Sequence, residues 1–202
     1  MHFSPTGKRL ATGSGDTTVR FWDLATQLPQ SSGTAHKTWV MAVAWAPDGA
    51  TLASGDKNGV VQMWDAATAA PRGACKGHTK WVTALAWQPA HLAFPSTRVA
   101  SASKDGTARV WCIDTRRQLL CLGGHAATVN AIKWTGANTI ITGASDKEIR
   151  VWNGDDGRTI RVLVGHAHWV NSLALSSDHA LRTGACDHRG NQPSDAVEAR
   201  AV

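Results

Sequence analysis

The sequence contains no tyrosine and three phenylalanines, but it contains ten tryptophans. No apolar run approaches the about 18 residues that a membrane-spanning helix needs. The cysteines form no CxxC pair and have no regular spacing, which argues against a disulfide framework or a zinc site and favours a reducing compartment. They are Cys75, Cys112, Cys121 and Cys186. These absences leave the tryptophans as the most informative feature.

The net charge is +6, because 21 lysines and arginines face 15 acidic residues. This balance is compatible with anionic partners such as RNA or acidic proteins. The basic residues are scattered along the chain rather than collected in a run, so the sequence predicts no basic arm.

Tryptophan and histidine recur with a common period. Successive repeat tryptophans are 42, 47 and 41 residues apart, and a histidine follows each of them by 14 residues. A period of about 40–45 residues, with Gly-His early and Trp-Asp late in the unit, is typical of one propeller blade. We therefore predict an all-β propeller built from four-stranded blades. The tryptophans are Trp22, Trp64, Trp111 and Trp152, and the histidines are His36, His78, His125 and His166.

Each histidine is followed by an apolar segment that is predicted to form the innermost strand of a blade. A small-residue strand follows, as in 52–55, and then a β-branched strand that ends in the repeat tryptophan, as in 148–152. The third unit carries extra residues near 89–98, where a surface loop tolerates insertion. The predicted innermost strands are Trp39–Trp45, Trp81–Trp87, Val129–Trp134 and Trp169–Leu175.

The repeat predicts a partial propeller over residues 1–185. In the fifth unit, Pro193 stands where the tryptophan is due, and the sequence 186–202 has no strand pattern, so we expect a disordered tail there. Because the first and fifth units are incomplete, we also expect the chain to be part of a longer protein. The units span about 1–34, 35–76, 77–123, 124–164 and 165–185.

Two further positions keep a constant distance from each repeat tryptophan. A hydroxyl residue stands ten residues before it, and an acidic or amide residue stands six residues before it. This spacing predicts a buried chain of hydrogen bonds from the indole N–H through the hydroxyl and the histidine to the turn carboxylate. Because the trio recurs in every unit, we interpret it as structural rather than as a hydrolase triad. The predicted members are His36, Ser54, Asn58 and Trp64; His78, Ser101, Asp105 and Trp111; and His125, Thr142, Asp146 and Trp152.

Aromatic and basic residues recur between these markers. They would form one surface suited to a protein interface or an RNA backbone. The alternative is that the tryptophans fill the seams between blades and the lysines are solvated charges. A separate arginine series, two residues before the repeat tryptophan, is expected to pack along it, and Gln62 interrupts that series. The candidate partner-binding residues are Trp39, Trp81, Trp169, Lys37, Lys57, Lys80, Lys104 and His168.

With these markers, the chain resembles the WD40-repeat family over residues 1–187. Segments 3–24, 77–89 and 168–185 are similar in particular to family members that assemble the large ribosomal subunit. Departures from the family pattern include Ala35 for the usual glycine and Asn58 for the usual aspartate.

The resemblance implies an eight-bladed, non-enzymatic scaffold of the nucleolus and nucleoplasm, without catalytic residues, metal or cofactor. Its expected partners are proteins of the pre-60S particle, with ribosomal RNA left open, and neither a membrane nor a small-molecule substrate. In such relatives, an N-terminal ubiquitin-like domain engages a midasin-type AAA+ ATPase, and that domain has no counterpart in this sequence. The alternative is a substrate-recognition or signalling adaptor of the ubiquitin-ligase or Notch-pathway type, because fold alone does not decide function.

Overall fold

The computed structural model describes residues 1–176, which form sixteen strands and no helix. The predicted tail 186–202 and the last part of the fifth unit lie outside this range. The strands are β1 His2–Phe3, β2 Arg9–Gly13, β3 Val19–Asp23, β4 Pro29–Gly33, β5 Val40–Trp45, β6 Thr51–Asp56, β7 Val61–Asp65, β8 Pro71–Cys75, β9 Val82–Trp87, β10 Arg98–Ser103, β11 Thr107–Cys112, β12 Gln118–Gly123, β13 Val129–Trp134, β14 Thr139–Ala144, β15 Ile149–Asn153 and β16 Thr159–Leu163.

The strands form four antiparallel four-stranded sheets, each a meander in chain order. We call them blade A (β1–β4), blade B (β5–β8), blade C (β9–β12) and blade D (β13–β16). This arrangement confirms the predicted all-β class and the four-stranded unit. The number of blades in a complete ring stays a prediction.

The second strand of blade C carries small residues and lies between two neighbouring blades, with Val99 in the apolar cluster shared with blade B and Ala100 in the cluster shared with blade D. In blade C, Ala100 pairs with Ala86 on one side and Val110 on the other, and five of the six residues of β10 are buried. Strands covered on both faces are apolar or small throughout rather than alternating. The second strand of blade C therefore contributes to the apolar core on both of its faces.

The apolar core lies between the blades. Between blades A and B, the rings of Phe21 and Trp45 meet edge to face, with 5.6 Å between their centroids. The guanidinium of Arg9 lies 5.5 Å and 5.4 Å from the same two centroids, and its Nη2–H group donates to the carbonyl of Ala66, 2.6 Å away. The seam thus combines aromatic packing with a cation over the rings.

The first strands of the blades face a common groove. Residues of β1, β5, β9 and β13, together with residues 171–173, line a cavity of about 300 Å³. The blades are therefore arranged around one axis with their first strands innermost, as the sequence predicts. The strand β1 has only two residues, so the innermost strand of blade A is short.

One predicted strand is wrong. Residues 169–175 form no strand, although Val170 donates its N–H to the carbonyl of Ala144, 3.0 Å away. A strand needs a hydrogen-bonded neighbour along its length, and by the repeat register that neighbour would fall near 180–185, outside the described residues. The extra residues of the third unit lie between Trp87 and Arg98, as expected.

Gly33, at the end of β4, allows blades A and B to pack closely against each other. A Cβ added at Gly33 would lie 2.6 Å from Cε3 of the fully buried Trp64. We expect Gly33→Ala to lower the free energy of unfolding by about 1–3 kcal/mol, because the indole is held and cannot give way. Urea denaturation of the variant measures this loss.

The matched control is Gly123→Ala, at the end of the outer strand of blade C. A Cβ at Gly123 meets nothing within 4 Å. Equal losses for the two variants would show that the close approach to Trp64 is not the cause.

Candidate partner-binding surface

In blades C and D, the structure joins a tryptophan, a hydroxyl residue, a histidine and an aspartate into one chain. The Nε1–H group of Trp111 donates to Ser101 Oγ, 2.7 Å away. His78 Nε2 lies 2.8 Å from the same oxygen, and His78 Nδ1 lies 2.9 Å from Asp105 Oδ2. Blade D repeats this arrangement at distances of 2.8 Å in His125, Thr142, Asp146 and Trp152.

In blade C, the direction of these hydrogen bonds is that expected for a neutral imidazole at His78. Since the indole donates to Ser101 Oγ, the hydroxyl can give its own proton to His78 Nε2, and Nδ1–H then faces Asp105. Burial lowers the pKa of His78, against the hydrogen bond and the charge of Asp105. Each polar atom of the chain therefore has a partner, and the buried Ser101 hydroxyl is not presented to a substrate.

Blade B builds the same chain with a different carboxylate. Trp64 Nε1–H donates to Ser54 Oγ at 2.6 Å, and His36 Nε2 lies 2.6 Å from that oxygen. His36 Nδ1 lies 2.9 Å from Asp56 Oδ2, so the prediction that Asn58 holds this position is wrong. The backbone N–H of Asn58 instead donates to Asp56 Oδ1, 2.9 Å away. In blade B, the aspartate that contacts the histidine stands at the end of the strand β6. In blades C and D, it stands in the turn after the second strand.

Blade A holds only part of the chain within the described residues. Trp22 Nε1–H donates to Thr12 Oγ1 at 2.9 Å. The carboxylate of Asp16 accepts from the backbone and side chain of Thr18, at 2.9 Å and 2.6 Å, and lies 3.5 Å from Arg20. This exposed aspartate is tied to its own turn.

The buried histidine–aspartate pairs predict acid-sensitive stability. Burial alone would raise the pKa of Asp105, but hydrogen bonds from Thr107 and His78 outweigh it and hold the pKa at about 2. A carboxylate with a lowered pKa stabilises the fold above its unfolded value and loses this contribution as the pH falls. The lowered pKa of His78 acts in the same direction, because the unfolded imidazole takes up a proton first.

We therefore expect the urea midpoint to fall as the pH drops below about 6.5, and again below about 4. In the Asp105→Asn variant, we expect a smaller fall of the urea midpoint below about pH 4, because the variant has no carboxyl group to protonate at this position. Urea titrations at a series of pH values measure both phases. A midpoint that is constant from neutral pH to pH 3 in the parent chain would contradict this expectation.

Tryptophan and lysine side chains alternate on the surface of blades B and C. The ammonium of Lys57 lies 4.3 Å from the ring centroid of Trp39 and 5.0 Å from that of Trp81, the latter across the seam. The ammonium of Lys104 lies 4.5 Å from the centroid of Trp81. We call Trp39, Lys57, Trp81 and Lys104 the tryptophan–lysine row. The lysines thus lie against the aromatic rings, whereas the sequence could not decide between a joint surface and separate solvated charges.

The other candidate surface residues are placed differently. Lys37 and Lys80 are exposed in the loops that follow the histidines. The rings of His168 and Trp169 are in contact at a tilt of 36°, with 5.0 Å between their centroids, and Trp169 is 57 % exposed. In blade D, the position that corresponds to Trp39 and Trp81 is occupied by Thr128, so the series of tryptophans is interrupted there. The predicted face is therefore divided into a row and a separate aromatic pair.

Two members of the arginine series, Arg109 and Arg150, lie beside their repeat tryptophans as the sequence predicts, whereas the exposed Arg20 pairs with Asp16. Arg109 lies so close to Gly77 that a Cβ there would be 2.6 Å from Nη1, and Arg150 has the same relation to Gly124 at 2.5 Å. In blade B, Gln62 replaces the arginine, and its Nε2–H groups donate to the carbonyls of Met63 and Gly73 at 2.9 Å and 2.8 Å. A cavity of about 270 Å³ lies there, bordered by Ala35 and Gln62 among others.

One group of possible metal ligands occurs among residues 1–176, formed by His125, Asp146 and Glu148. His125 and Asp146 belong to the hydrogen-bonded chain of blade D, and Glu148 pairs with Arg150 at 2.9 Å. These contacts account for the cluster without a metal ion. In the same range, no helix is long and apolar enough to cross a membrane.

The family model described as "WD domain, G-beta repeat" matches residues 1–23, 28–65, 70–112, 116–153 and 157–189. The chain belongs to the WD40 family. Its repeats are of a kind that is typically non-catalytic.

Short segments of the chain also match curated relatives. It is 69% identical over 29 residues to "Notchless protein homolog" of Arabidopsis thaliana, which is 14% of this chain and 6% of the relative. It is 44% identical over 45 residues to "Ribosome assembly protein 4" of Saccharomyces cerevisiae, 22% of this chain and 9% of the relative. It is 59% identical over 34 residues to "Protein Notchless" of Drosophila melanogaster, 17% of this chain and 7% of the relative. The matched parts thus span less than a tenth of these relatives.

Proposed function

We propose that this chain is a non-enzymatic WD40 scaffold that binds proteins during assembly of the large ribosomal subunit. The observation that supports this function best is the similarity to relatives named for ribosome assembly, found in a chain whose repeats are WD40 throughout. On this proposal, the protein acts in the nucleolus and nucleoplasm, on pre-60S particles.

The geometry of the blades supports a binding role over a catalytic one. The Ser-His-Asp arrangement that could be taken for a hydrolase triad occurs in blade C and, with a threonine or a shifted aspartate, in blades D and B. Its hydroxyls are buried and hydrogen-bonded to an indole. A nucleophile must be exposed beside its base, so these groups serve the fold. The groups that remain available lie on the surface, chiefly in the tryptophan–lysine row.

A midasin-type ATPase enters this proposal only through a ubiquitin-like domain, and no residue of this chain is assigned to that contact. The alternative of a signalling or ubiquitin-ligase adaptor is not supported by the arginine series. Arg109 donates to Gln118 and Arg150 pairs with Glu148, each within its own blade.

Sedimentation tests the scaffold proposal. We expect the epitope-tagged protein to co-sediment with pre-60S particles in a sucrose gradient, and its depletion to slow processing of the large-subunit ribosomal RNA. Recovery in free fractions alone, together with unchanged RNA processing after depletion, would count against it.

A further inference from the structure

The tryptophan–lysine row is not required by the WD40 fold. In blades B and C, the backbone N–H of the lysine donates to the backbone carbonyl of the tryptophan. Lys57 donates to Trp39 at 3.0 Å, and Lys104 donates to Trp81 at 2.9 Å. Blade D makes the same backbone bond at 2.8 Å, but between Ser145 and Thr128. Because blade D forms with small polar side chains at these positions, the row needs an explanation other than folding.

The carboxylates next to the two lysines in the sequence are held by histidines. Asp56 and Asp105, which flank the two lysines in sequence, point toward His36 and His78 and are hydrogen-bonded there. An ammonium over an indole face keeps N–H groups that can donate to another molecule. The row therefore offers two positioned cations beside an aromatic ring.

We propose that the tryptophan–lysine row binds an acidic segment of a partner protein that also carries apolar side chains. This inference rests on the proposed function as a protein-binding scaffold. Both ammoniums lie within 5.0 Å of the Trp81 centroid, so at most about 10 Å separates them, and acidic residues two apart in an extended segment, about 7 Å, reach both. Trp39, which is 51 % exposed, offers the area for an apolar side chain.

The same geometry disfavours stacking of an RNA base on Trp81, the ring at the centre of the row. Bases bind such surfaces by stacking on open aromatic faces. Two ammoniums already lie over Trp81, which is half-buried, so a base would have to displace them. A carboxylate needs only the outward N–H groups and leaves the ammonium–indole contacts intact. An acidic polypeptide therefore fits the row better than a nucleic acid.

Fluorescence anisotropy of the purified chain tests this proposal. The probe is a short fluorescein-labelled peptide of alternating glutamate and leucine, compared with its glutamine–leucine counterpart and with labelled oligouridine. We expect binding of the glutamate peptide alone. In Lys57→Met/Lys104→Met, its affinity falls by about tenfold, as for the loss of two close charge contacts. Equal binding of the glutamine peptide, or unchanged affinity in this variant, would overturn the proposal.

Two further variants test whether a loss of affinity comes from the row itself, from the lower net charge or from loss of folding. Lys8→Met/Arg117→Met removes the same charge from the turns at the opposite ends of the sheets, and its affinity should stay within about twofold of the parent. Lys57→Arg/Lys104→Arg keeps cations that can lie over indoles and should retain binding. Oligouridine that binds the parent chain and is lost in the methionine variant would assign the row to RNA instead.

The outcome is independent of the sedimentation experiment. If the methionine variant binds the glutamate peptide as the parent does while the protein co-sediments with pre-60S particles, the row proposal fails and the scaffold proposal stands. If the row binds the peptide but the protein stays in free fractions, the scaffold proposal fails and the row remains a site for acidic segments.

Discussion

Trp111→Ala is expected to lower the free energy of unfolding by about 3–5 kcal/mol, the range for removing a buried large aromatic side chain. The indole is 1 % exposed and packs between blades B and C in a cluster that includes Met63 and Val99. Its removal leaves a cavity and also takes the N–H donor from Ser101. Since domains are stable by only about 5–15 kcal/mol, this single change takes a large part of the total. Urea denaturation followed by circular dichroism measures it.

The equivalent tryptophan of blade A provides the control. Trp22 keeps the hydrogen bond to the hydroxyl ten residues before it, to Thr12, but it is only half-buried. We expect Trp22→Ala to cost less than half as much, because less apolar surface returns to water. Equal losses at the two positions would show that burial at the seam does not determine the effect.

Asp56→Ala is expected to cost about 3 kcal/mol, the second large effect. Asp56 is 2 % exposed and receives hydrogen bonds from His36 Nδ1 and from the backbone N–H groups of Asn58 and Val60, each at 2.9 Å. Removing one partner of a buried, hydrogen-bonded charged group leaves the others unsatisfied, which is where the large cost arises. Chemical denaturation of the purified variant checks this value.

The neighbouring residue Asn58 serves as the control, because the repeat offset assigned it to the position that Asp56 occupies in the structure. Asn58→Ala should change stability by less than about 0.5 kcal/mol, because Asn58 is exposed and contributes a backbone N–H that alanine keeps. In blade C, where the aspartate stands in the turn, Asp105→Ala should behave like Asp56→Ala. A large loss in Asn58→Ala with little loss in Asp56→Ala would reverse the assignment.

The blade architecture could be predicted because the repeat spacing carries it. The offset of ten residues between Ser101 and Trp111 is a property of one hairpin, so it survives in every blade. The aspartate is less tightly specified, since only its carboxylate must reach the histidine. Both the strand end and the turn allow this, which is why extrapolating the offset from blades C and D selected Asn58 instead of Asp56.

Contacts across a seam were harder to predict than those within a hairpin. The sequence placed Lys57 near the surface, but its position over Trp81 depends on how blade C packs beside blade B. The strand predicted at 169–175 has the right residues, yet strands are made by pairing, and a local pattern does not supply the neighbour. Prediction from the repeat was therefore best where both partners lie in one blade.

Ala35 and Gln62 show that the blades are not interchangeable modules. Gly77 and Gly124 leave room for the arginines of their own units. In blade B, Ala35 stands in place of the glycine and carries a methyl group, and Gln62 stands in place of the arginine with a shorter side chain. The two positions form a matched set, so a blade copied into another place must carry both members. A chimera that joins Ala35 to an arginine at position 62 would put the methyl group where the guanidinium lies. Exchange points between repeats of this protein are therefore best placed outside residues 35–62.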